Sequence, residues 1–524
     1  MQAVSEDPAL EVASVRWERV QLIVEARTTS GTRIDPARLQ LDPNGGGEPM
    51  MPTRATVDGD RLTMRFNVLV GPGLQPLAPG RWTLDVPVVA GATLAAAGSP
   101  GIGAFALERG TERVTPHIDA ATRRLTLDVA FDESVRARPR RDGVSVRFRR
   151  AVFRALVSVS RLARRRGRHR VLFASRLISE MSGNLKVVHD RMVERGLDRD
   201  HDLEVMLKPG LTERWRFLDR FRLARSVAIA DVIVLDDSFL PLTWVRLSPV
   251  VRIIQLWHAA GAFKTVGYSR AGLPDPNVRA HKSYTHAIVS SEFDVPFYAE
   301  AFGIPEERVI PTGIPRMDRF FDQEARAKGL AAARAAFPES EGRRTILFAP
   351  TYRGDTIREA SYDFEQLDYA GLHALCVERD AVVIIKMHPF VLEPLRIPEQ
   401  FRDRLLDGSA DDVDVNDLLF AVDLLVTDYS SIVFEYSTLR RPMLFFAYDL
   451  DDYVATRDFY VPFETFVPGR IVRTFPEMLD AIRRDDYQAE KVADFATRHF
   501  AHLDAGSTDR VIDQLILGPA VPAR

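Results

Sequence analysis

The feature that most constrains this chain is an alternation of short apolar runs with amphipathic stretches, which begins near His169 and continues through most of the remaining sequence. This alternation is typical of βαβ units, which build a parallel sheet covered by helices on both faces. It pauses over residues 322–344, which are rich in Ala, Arg and Glu, and then begins again. We therefore predict an α/β fold with two doubly wound, Rossmann-like halves that face each other across a cleft.

Nine apolar runs are the predicted buried strands of the two sheets, and ligands of such sheets bind beyond the carboxyl ends of the strands. The runs are 171–174, 203–207, 232–235, 253–256 and 287–289 in the first half, and 345–349, 382–386, 424–426 and 443–446 in the second. A helix is predicted over 185–195.

The first 134 residues follow a different pattern, in which apolar and polar residues alternate with period two. Leu62, Met64, Phe66 and Val68 share one face in this way, which predicts β-strands. We expect a small β-rich domain over 1–134, a basic linker and helix over 135–168, an acceptor-side Rossmann-like domain over 169–325 and a donor-side one over 326–524. The β-rich domain could bind acceptor, contact lipid or form an oligomer.

A basic amphipathic helix is predicted over 147–166, where apolar residues recur at helical spacing. Between residues 136 and 170 there are 14 arginines and only one acid, Asp142. The helix either packs on its own domain as a solvated linker or lies on anionic lipid, and we favour lipid. Aromatic residues for base stacking are sparse here, so nucleic acid is not expected. The predicted lipid-contacting residues are Arg147, Arg150, Arg154 and Arg161.

Composition narrows the class of protein further. Hydrophobic residues at 46% and charged residues at 27% are close to globular averages. The single cysteine, Cys376, excludes an internal disulfide and a cysteine-built zinc site. We expect no secretory signal at the start and find no run of 18 apolar residues. No metal or cofactor is expected.

A histidine follows directly on the predicted strand 253–256. His258 can act as a general base, because an imidazole accepts a proton near neutral pH. The alternative is a histidine that is hydrogen-bonded inside a core. The small residues Ala259, Ala260, Gly261 and Ala262 come next, and they would allow a substrate or phosphate to approach the backbone.

Cations and hydroxyls follow other predicted strands. Lys386, Met387 and His388 place an ammonium and an imidazole together, which suits a diphosphate and its departing half. Ser430 and Ser431 begin a predicted helix over 432–438, where N–H groups can bind an anion. The other candidates for contact with a ligand are Glu435 and the loop residues Arg316, Thr351 and Arg353.

Five motifs in one order carry a family resemblance: QLWH at 255–258, GIPRMD at 313–318, FAPTYR at 348–353, KMHP at 386–389, and TDYSS with the following glutamate at 427–435. They resemble the CDP-glycerol glycerophosphotransferase family, the teichoic acid polymerases and primases of bacterial cell walls. The resemblance covers about two thirds of the chain. It implies the two-domain fold called GT-B.

The resemblance also implies the activity, which is transfer of glycerol phosphate from CDP-glycerol to a hydroxyl of a wall or capsule polymer, with release of CMP. It assigns His258 as the base and the cationic, hydroxyl and glutamate residues above as donor-binding, and it relates Ser182, Gly183 and Asn184 to a loop near the acceptor. The expected partners are a CDP-polyol, a lipid-linked polyol-phosphate acceptor and the cytoplasmic face of the membrane, where the protein would be peripheral. A homo-oligomer stays open.

One departure from the family pattern bears on the donor. Glycerol enzymes usually read WHGTP, whereas this chain reads WHAAGAFK at 257–264, which is closer to the ribitol-phosphate polymerases. CDP-glycerol is the first expectation for the donor and CDP-ribitol the alternative. A sugar-nucleotide glycosyltransferase and a non-catalytic polymer-binding protein are further alternatives, and the presence of both His258 and His388 argues against the second of these.

Overall fold

The computed structural model describes residues 9–28, 38–72, 75–88, 103–107, 110–132, 144–162, 167–208, 217–270, 278–354, 359–409, 414–456 and 459–518. Within these ranges, two antiparallel sheets come first along the chain and two parallel sheets follow.

The antiparallel sheets contain nine strands. They are β1 (Leu10–Glu18), β2 (Gln21–Thr28), β3 (Leu41–Pro43), β4 (Arg54–Asp58), β5 (Arg61–Asn67), β6 (Gly80–Pro87), β7 (Gly103–Leu107), β8 (Gly110–Asp119) and β9 (Arg124–Asp132). One sheet has the order β1-β2-β5-β4 and the other β3-β6-β9-β8-β7. On β5, Leu62, Met64 and Phe66 are buried and the residues between them are more exposed, because successive side chains of a strand point to opposite faces.

The parallel sheets contain six strands each. The first is built from β10 (His169–Ser175), β11 (His201–Leu207), β12 (Val232–Leu235), β13 (Arg252–Gln255), β14 (His286–Ile288) and β15 (Val309–Ile310), in the order β11-β10-β12-β13-β14-β15. The second is built from β16 (Arg344–Phe348), β17 (Ala381–Ile385), β18 (Leu405–Asp407), β19 (Leu424–Thr427), β20 (Met443–Phe446) and β21 (Arg470–Val472), in the order β18-β17-β16-β19-β20-β21.

The predicted parallel α/β architecture is confirmed, and each of the nine predicted strands overlaps an observed one. The sequence missed β15, β18 and β21, which are only two or three residues long and are too short to show a period. The strand order reverses between β10 and β12 in the first sheet and between β16 and β19 in the second. Such reversals open a crevice at the carboxyl edge of a sheet.

The helices connect these strands and cover the sheets. They are α1 (Val144–Leu162), α2 (Gly183–Glu194), α3 (Phe217–Ile229), α4 (Val295–Phe302), α5 (Gln323–Ala336), α6 (Tyr369–Glu378), α7 (Val415–Ala421), α8 (Ile432–Ser437), α9 (Leu450–Thr456), α10 (Phe463–Phe466), α11 (Phe475–Arg484), α12 (Lys491–His499) and α13 (Ser507–Arg510).

One apolar core runs through both parallel sheets, and it includes Val171 from the first and Leu347 from the second. The C-terminal segment returns to the first sheet. The guanidinium of Arg252 on β13 donates to the carbonyl of Ile516 at 2.8 Å, and Arg191 on α2 pairs with Asp509 at 2.8 Å. These contacts attach the C-terminal segment to the first half of the α/β region.

The antiparallel sheets dock on the first parallel half through buried charges. Arg19, which follows β1, pairs with Glu300 on α4 at 2.8 Å, and both side chains are almost completely buried. Lys282 donates to the carbonyl of Leu69 at 3.3 Å. A buried pair of this kind tolerates little displacement, because either charge left alone would be costly.

Helix α1 buries only part of its apolar residues, although an amphipathic helix that packs on its own domain is expected to bury its apolar face. It packs on α3 and on the segment 240–247 through Phe153, Val157 and Ser160, which are buried. Leu156 is partly buried against the same core, whereas Phe148, Val159 and Leu162 face outward and are 68%, 65% and 88% exposed. We call these three residues the apolar stripe of α1. Residues 163–166 of the predicted helix lie outside the described residues. Among the described helices, none is both long and apolar enough to cross a membrane.

Candidate active site

A cleft of about 450 Å³ opens between the two parallel sheets. Its walls come from the segments that follow β13, β16, β17 and β19, together with the starts of α7 and α8. The lining residues that the sequence predicted are His258, Arg316, Lys386, Met387, His388, Ser430, Ser431 and Glu435. The carboxyl ends of strands from both halves therefore bring these side chains to one place.

His258 lies three residues beyond the end of β13 and is open to the cleft. The preceding residue, Trp257, has φ of 53°, a left-handed conformation that is rare for an aromatic residue. Its ring stacks on the imidazole with centroids 4.3 Å apart. The surrounding protein lowers the pKa of His258 below 6.5 by limiting its hydration; the Asp236 carbonyl opposes this shift, and the charge of Arg316 adds to it. The imidazole is accordingly neutral and able to accept a proton at pH 7.

The strained turn before His258 is held by the buried side chain of Asn184. Its amide nitrogen donates to the carbonyl of Trp257 at 2.8 Å, and its amide oxygen accepts from the backbone N–H of Arg316 at 2.9 Å. One side chain thus positions two elements of the cleft. The family resemblance relates Ser182, Gly183 and Asn184 to a loop near the acceptor. In the structure, Ser182 and Gly183 are exposed, whereas Asn184 is buried. Asn184 acts here as a positioning residue.

Arg316 connects the two halves across the cleft. Its guanidinium donates to Glu435 Oε1 and, at 3.2 Å, to the carbonyl of His258. The second carboxylate oxygen of Glu435, Oε2, is buried although the residue lines the cleft, and no residue that the structure describes donates a hydrogen bond to it. A buried carboxylate oxygen without a donor is costly. This oxygen is therefore ready to accept a hydrogen bond from a ligand hydroxyl.

Lys386 and His388 stand on the opposite wall, just beyond β17. Lys386 donates to the carbonyl of Gly408 at 2.8 Å. His388 Nδ1 accepts the backbone N–H of Phe390 at 3.2 Å, so the neutral ring carries its proton on Nε2. Burial, and then the charge of Lys264, lower the pKa of His388. The pair supplies one ammonium and one imidazole donor to the cleft.

The start of α7 also lines the cleft, through Asp414, Val415 and Asn416, and the sequence reasoning missed these residues. Asp414 caps the helix by accepting the backbone N–H of Asn416 at 2.9 Å, and it pairs with Arg319 at 3.0 Å. The DVND run at 414–417 before apolar residues is a helix-start signal. A helix that follows a strand of a parallel sheet begins at the carboxyl edge of that sheet. The signal could therefore have placed Asp414, Val415 and Asn416 at the cleft.

The small residues after His258 have a different role from the one predicted. Ala260 and Ala262 are buried, and none of the four residues 259–262 lines the cleft. A Cβ on Gly261 would lie 2.2 Å from Phe434 Cε1 on α8. The absence of a side chain at Gly261 lets the two halves approach, and the backbone of the loop is hydrogen-bonded to Tyr298 and Asp294. The predicted access of substrate to this backbone is wrong for Ala260, Gly261 and Ala262.

Arg353 and Thr351 also lie outside the cleft lining. The guanidinium of Arg353 pairs with Asp449 at 2.6 Å and with Asp428 at 2.9 Å, and four tyrosine rings surround it. The predicted phosphate contact of Arg353 is therefore replaced by a structural one. Thr351 donates its backbone N–H to Asp428 at 2.7 Å. Both residues fix the loop whose first residues, Ala349 and Pro350, line the cleft.

Three of the four arginines predicted to contact lipid interact with the segment 244–246 of the protein itself. Arg154 donates to the carbonyl of Trp244 at 2.7 Å, and Arg161 donates to that of Arg246. Arg150 lies over the ring of Trp244 at 5.8 Å. Arg147 is exposed on the first half of α1.

Comparison with known proteins adds to this geometry. The sequence profile of the family described as CDP-glycerol:poly(glycerophosphate) glycerophosphotransferase matches residues 156–517. The chain is 44% identical to the teichoic acid ribitol-phosphate polymerase TarK of Staphylococcus aureus (strain NCTC 8325 / PS 47) over 70% of this chain and 71% of that protein. It is 28% identical to a teichoic acid glycerol-phosphate transferase of the same organism, over 52% of this chain and 73% of that one.

Among solved structures, the wall teichoic acid polymerase TagF matches with a TM-score of 0.55 at 20% identity, over 71% of this chain and 97% of that one. At this identity the likeness concerns the fold alone. The family resemblance drawn from the five motifs is confirmed by the profile and by the relatives. The chain belongs to the CDP-glycerol:poly(glycerophosphate) glycerophosphotransferase family.

Proposed function

We propose that this chain transfers ribitol phosphate from CDP-ribitol to the terminal hydroxyl of a teichoic-acid-type polymer and releases CMP. The reaction class, transfer of a polyol phosphate from a CDP-polyol, follows from the family. The donor rests on one observation: the chain is 44% identical to a ribitol-phosphate polymerase and 28% identical to a glycerol-phosphate transferase. This reverses the order expected from the sequence, where CDP-glycerol came first.

In the proposed reaction, His258 removes the proton of the acceptor hydroxyl. The freed oxygen attacks the phosphorus that carries the polyol and forms a new P–O bond, while the bond to the oxygen of CMP breaks. The neutral state of His258 and its open position in the cleft support this role. An enzyme base of this kind contributes ~10²–10⁴ to the rate.

The opposite wall of the cleft would stabilise the leaving CMP. Lys386 supplies a positive charge and His388 an Nε2–H donor, and both line the cleft. Charge that develops on the departing phosphate is best stabilised by donors held in place before the reaction. Ser430 and Ser431 would add hydroxyl donors to the diphosphate, and Glu435 Oε2 would accept a hydroxyl of ribose or polyol.

The layout that we propose is of the GT-B type. The half over 169–325 would bind the acceptor and the half over 326–524 the donor, because the Lys386, His388 and Ser430 segments follow strands of the second sheet. The residues up to 134 would form a β-rich accessory domain, and 135–168 a basic linker and helix. The boundary between the last two lies outside the described residues.

The exposed apolar stripe of α1 supports attachment to an anionic membrane surface, from which a lipid-linked acceptor would be reached. Apolar side chains beside arginines favour the interface of an anionic bilayer. We expect sedimentation with phosphatidylglycerol vesicles to decrease as the salt concentration rises. It should also decrease in the variant Val159→Ser/Leu162→Ser, which replaces two exposed apolar side chains. Binding that is absent, or that ignores both changes, would contradict this attachment.

The donor is tested by CMP release from CDP-ribitol and CDP-glycerol in parallel, each with a lipid-linked glycerol-phosphate acceptor analogue. We expect CMP from CDP-ribitol, and release that is lower by ~10²–10⁴ from the His258→Ala variant. Release from CDP-glycerol alone would overturn the ribitol assignment and leave the reaction class intact. Silence with both donors would favour a sugar nucleotide or a non-catalytic role.

A further inference from the structure

A second cavity, of about 490 Å³, lies between α1 and the loop 243–246. It shares no lining residue with the cleft between the sheets. Three arginines surround it: Arg154 and Arg161 from the helix, and Arg246 from the loop. Among the described residues that line this cavity, none is acidic. The cavity therefore concentrates positive charge that its own walls do not neutralise.

Two of the three guanidinium groups of this cavity are held in place. Arg154 Nε donates to the carbonyl of Trp244 at 2.7 Å, and Arg161 donates one N–H to the carbonyl of Arg246. A guanidinium has five N–H donors, so each of these two keeps further donors after its bond to the loop. Planar, pre-positioned guanidinium groups match the oxygens of a phosphate.

The rim of the cavity is continuous with the apolar stripe of α1. Leu162 lies four residues after Ser158 and three residues after Val159, and residues at these spacings are neighbours on the surface of a helix. The cavity residue Ser158 is therefore adjacent on α1 to the exposed apolar residues Leu162 and Val159. A ligand that filled the cavity with a phosphate would leave its remainder beside these apolar side chains. An amphiphile with a phosphate head and an acyl tail satisfies both surfaces at once.

The geometry is less suited to a nucleotide or a nucleic acid. Trp244 is the one aromatic residue in the described lining of the cavity, and its ring already packs against Phe153 at 5.6 Å with Arg150 at 5.8 Å from its centroid. A base would need a free aromatic face for stacking. Free inorganic phosphate would use the arginines but would gain nothing from the apolar stripe.

We propose that this cavity binds the phosphate headgroup of one anionic glycerophospholipid, whose acyl chains lie along the apolar stripe. This inference rests on the membrane attachment proposed above and adds a discrete site to it. Diffuse attraction of arginines to a charged surface has no fixed stoichiometry, whereas this cavity holds one headgroup per chain. Lipid bound here would fix the orientation of α1 against the bilayer.

The test is a titration of the full chain with dihexanoyl phosphatidylglycerol below its micellar concentration, followed by calorimetry. We expect saturation at one lipid per chain and weaker binding of dihexanoyl phosphatidylcholine and of inorganic phosphate. The variant Arg246→Gln should weaken binding about tenfold, because it removes one charge-assisted contact. The main-chain carbonyl that accepts from Arg161 is kept in this variant, so the loop should retain its fold.

The matched control is Arg225→Gln, which removes an exposed arginine of α3 outside the cavity and should leave the affinity unchanged. Equal losses in the two variants, no saturation, or inorganic phosphate binding as tightly as the lipid would each overturn the site. Saturable binding of the short lipid without vesicle sedimentation would refute only the membrane attachment. CMP release with a soluble acceptor should be the same in both variants, which separates this site from the transferase proposal.

Discussion

Arg316 and Glu435 form an ion pair across the cleft, in which the guanidinium donates to Oε1 while the buried Oε2 has no hydrogen-bond partner within the described ranges. Arg316 belongs to the first half of the α/β region, and Glu435 lies on α8, which follows β19 of the second parallel sheet. Because Arg316 also donates to the carbonyl of His258, the pair links the expected base to the wall that would hold the donor. A hydroxyl of the donor would complete the hydrogen bonds of Glu435 without breaking this pair.

Glu435→Gln should therefore raise the KM for the CDP-polyol about tenfold, because it weakens a charge-assisted hydrogen bond. We expect kcat to change less, since Gln keeps an oxygen that can accept from Arg316. Steady-state CMP release measures both quantities. Glu490→Gln, at an exposed acid outside the cleft, is the control. A change in kcat with KM unaltered would contradict the donor-binding role.

His258→Ala should lower kcat by ~10²–10⁴ while the dissociation constant of the donor stays within about threefold. The pKa of His258 is lowered below 6.5, and a general base acts when it is deprotonated. We therefore expect kcat/KM to rise with pH through a midpoint below 6.5 and to stay level above it.

Arg316→Gln provides a sharper test of the same assignment. The charge of Arg316 helps to lower the pKa of His258, so its removal should move that midpoint to higher pH, whatever the loss in rate. A pH profile measures this shift. An unmoved midpoint, or an alanine variant that keeps a third of its kcat, would show that another group is the base.

Gly261→Ala should destabilise the contact between the two halves, because the new Cβ would lie 2.2 Å from a ring atom of Phe434. Overpacking of this kind costs ~1–3 kcal/mol. We expect a lower thermal midpoint, with partial recovery in Gly261→Ala/Phe434→Leu, where the smaller side chain makes room. Gly45→Ala, which meets no atom within 4 Å, should leave the midpoint unchanged. An unchanged midpoint for Gly261→Ala would mean that the halves can move apart at this point.

We expect the buried carboxyl of Glu112 on β8 to make the stability of the antiparallel region depend on pH. Burial raises the pKa of this carboxyl to about 8, an effect that Lys282 opposes, and none of the described residues forms a hydrogen bond with Oε1. A pKa that is higher in the folded state stabilises the protein below 4.5, and this contribution is lost as the pH rises through 8. Glu112→Gln should match wild type near pH 4 and exceed it at pH 9, by at most about 5 kcal/mol. Thermal unfolding between pH 4 and pH 9 measures the difference, and parallel pH dependences would contradict it.

The strand pattern and the positions of the main polar residues could be read from the sequence. His258, Lys386, His388 and Ser430 each follow an apolar run, and the carboxyl ends of parallel strands meet at one edge of a sheet. That rule needs no knowledge of packing, and all four residues line the cleft. The start of α7 carried a helix-start signal as well, but nothing in its residue types pointed to a ligand.

Only the tertiary structure decided which partners the remaining residues take. An arginine at a strand end can contact a phosphate or a carboxylate, and Arg353 is bound by Asp428 and Asp449, both of which are distant from it in sequence. Gly261 contacts Phe434 of the other half, and α1 turns a face outward that its periodicity alone would bury. Sequence patterns with a period of two or 3.6 residues reflect local geometry. Long-range pairing and the choice of buried face depend on how the whole chain packs.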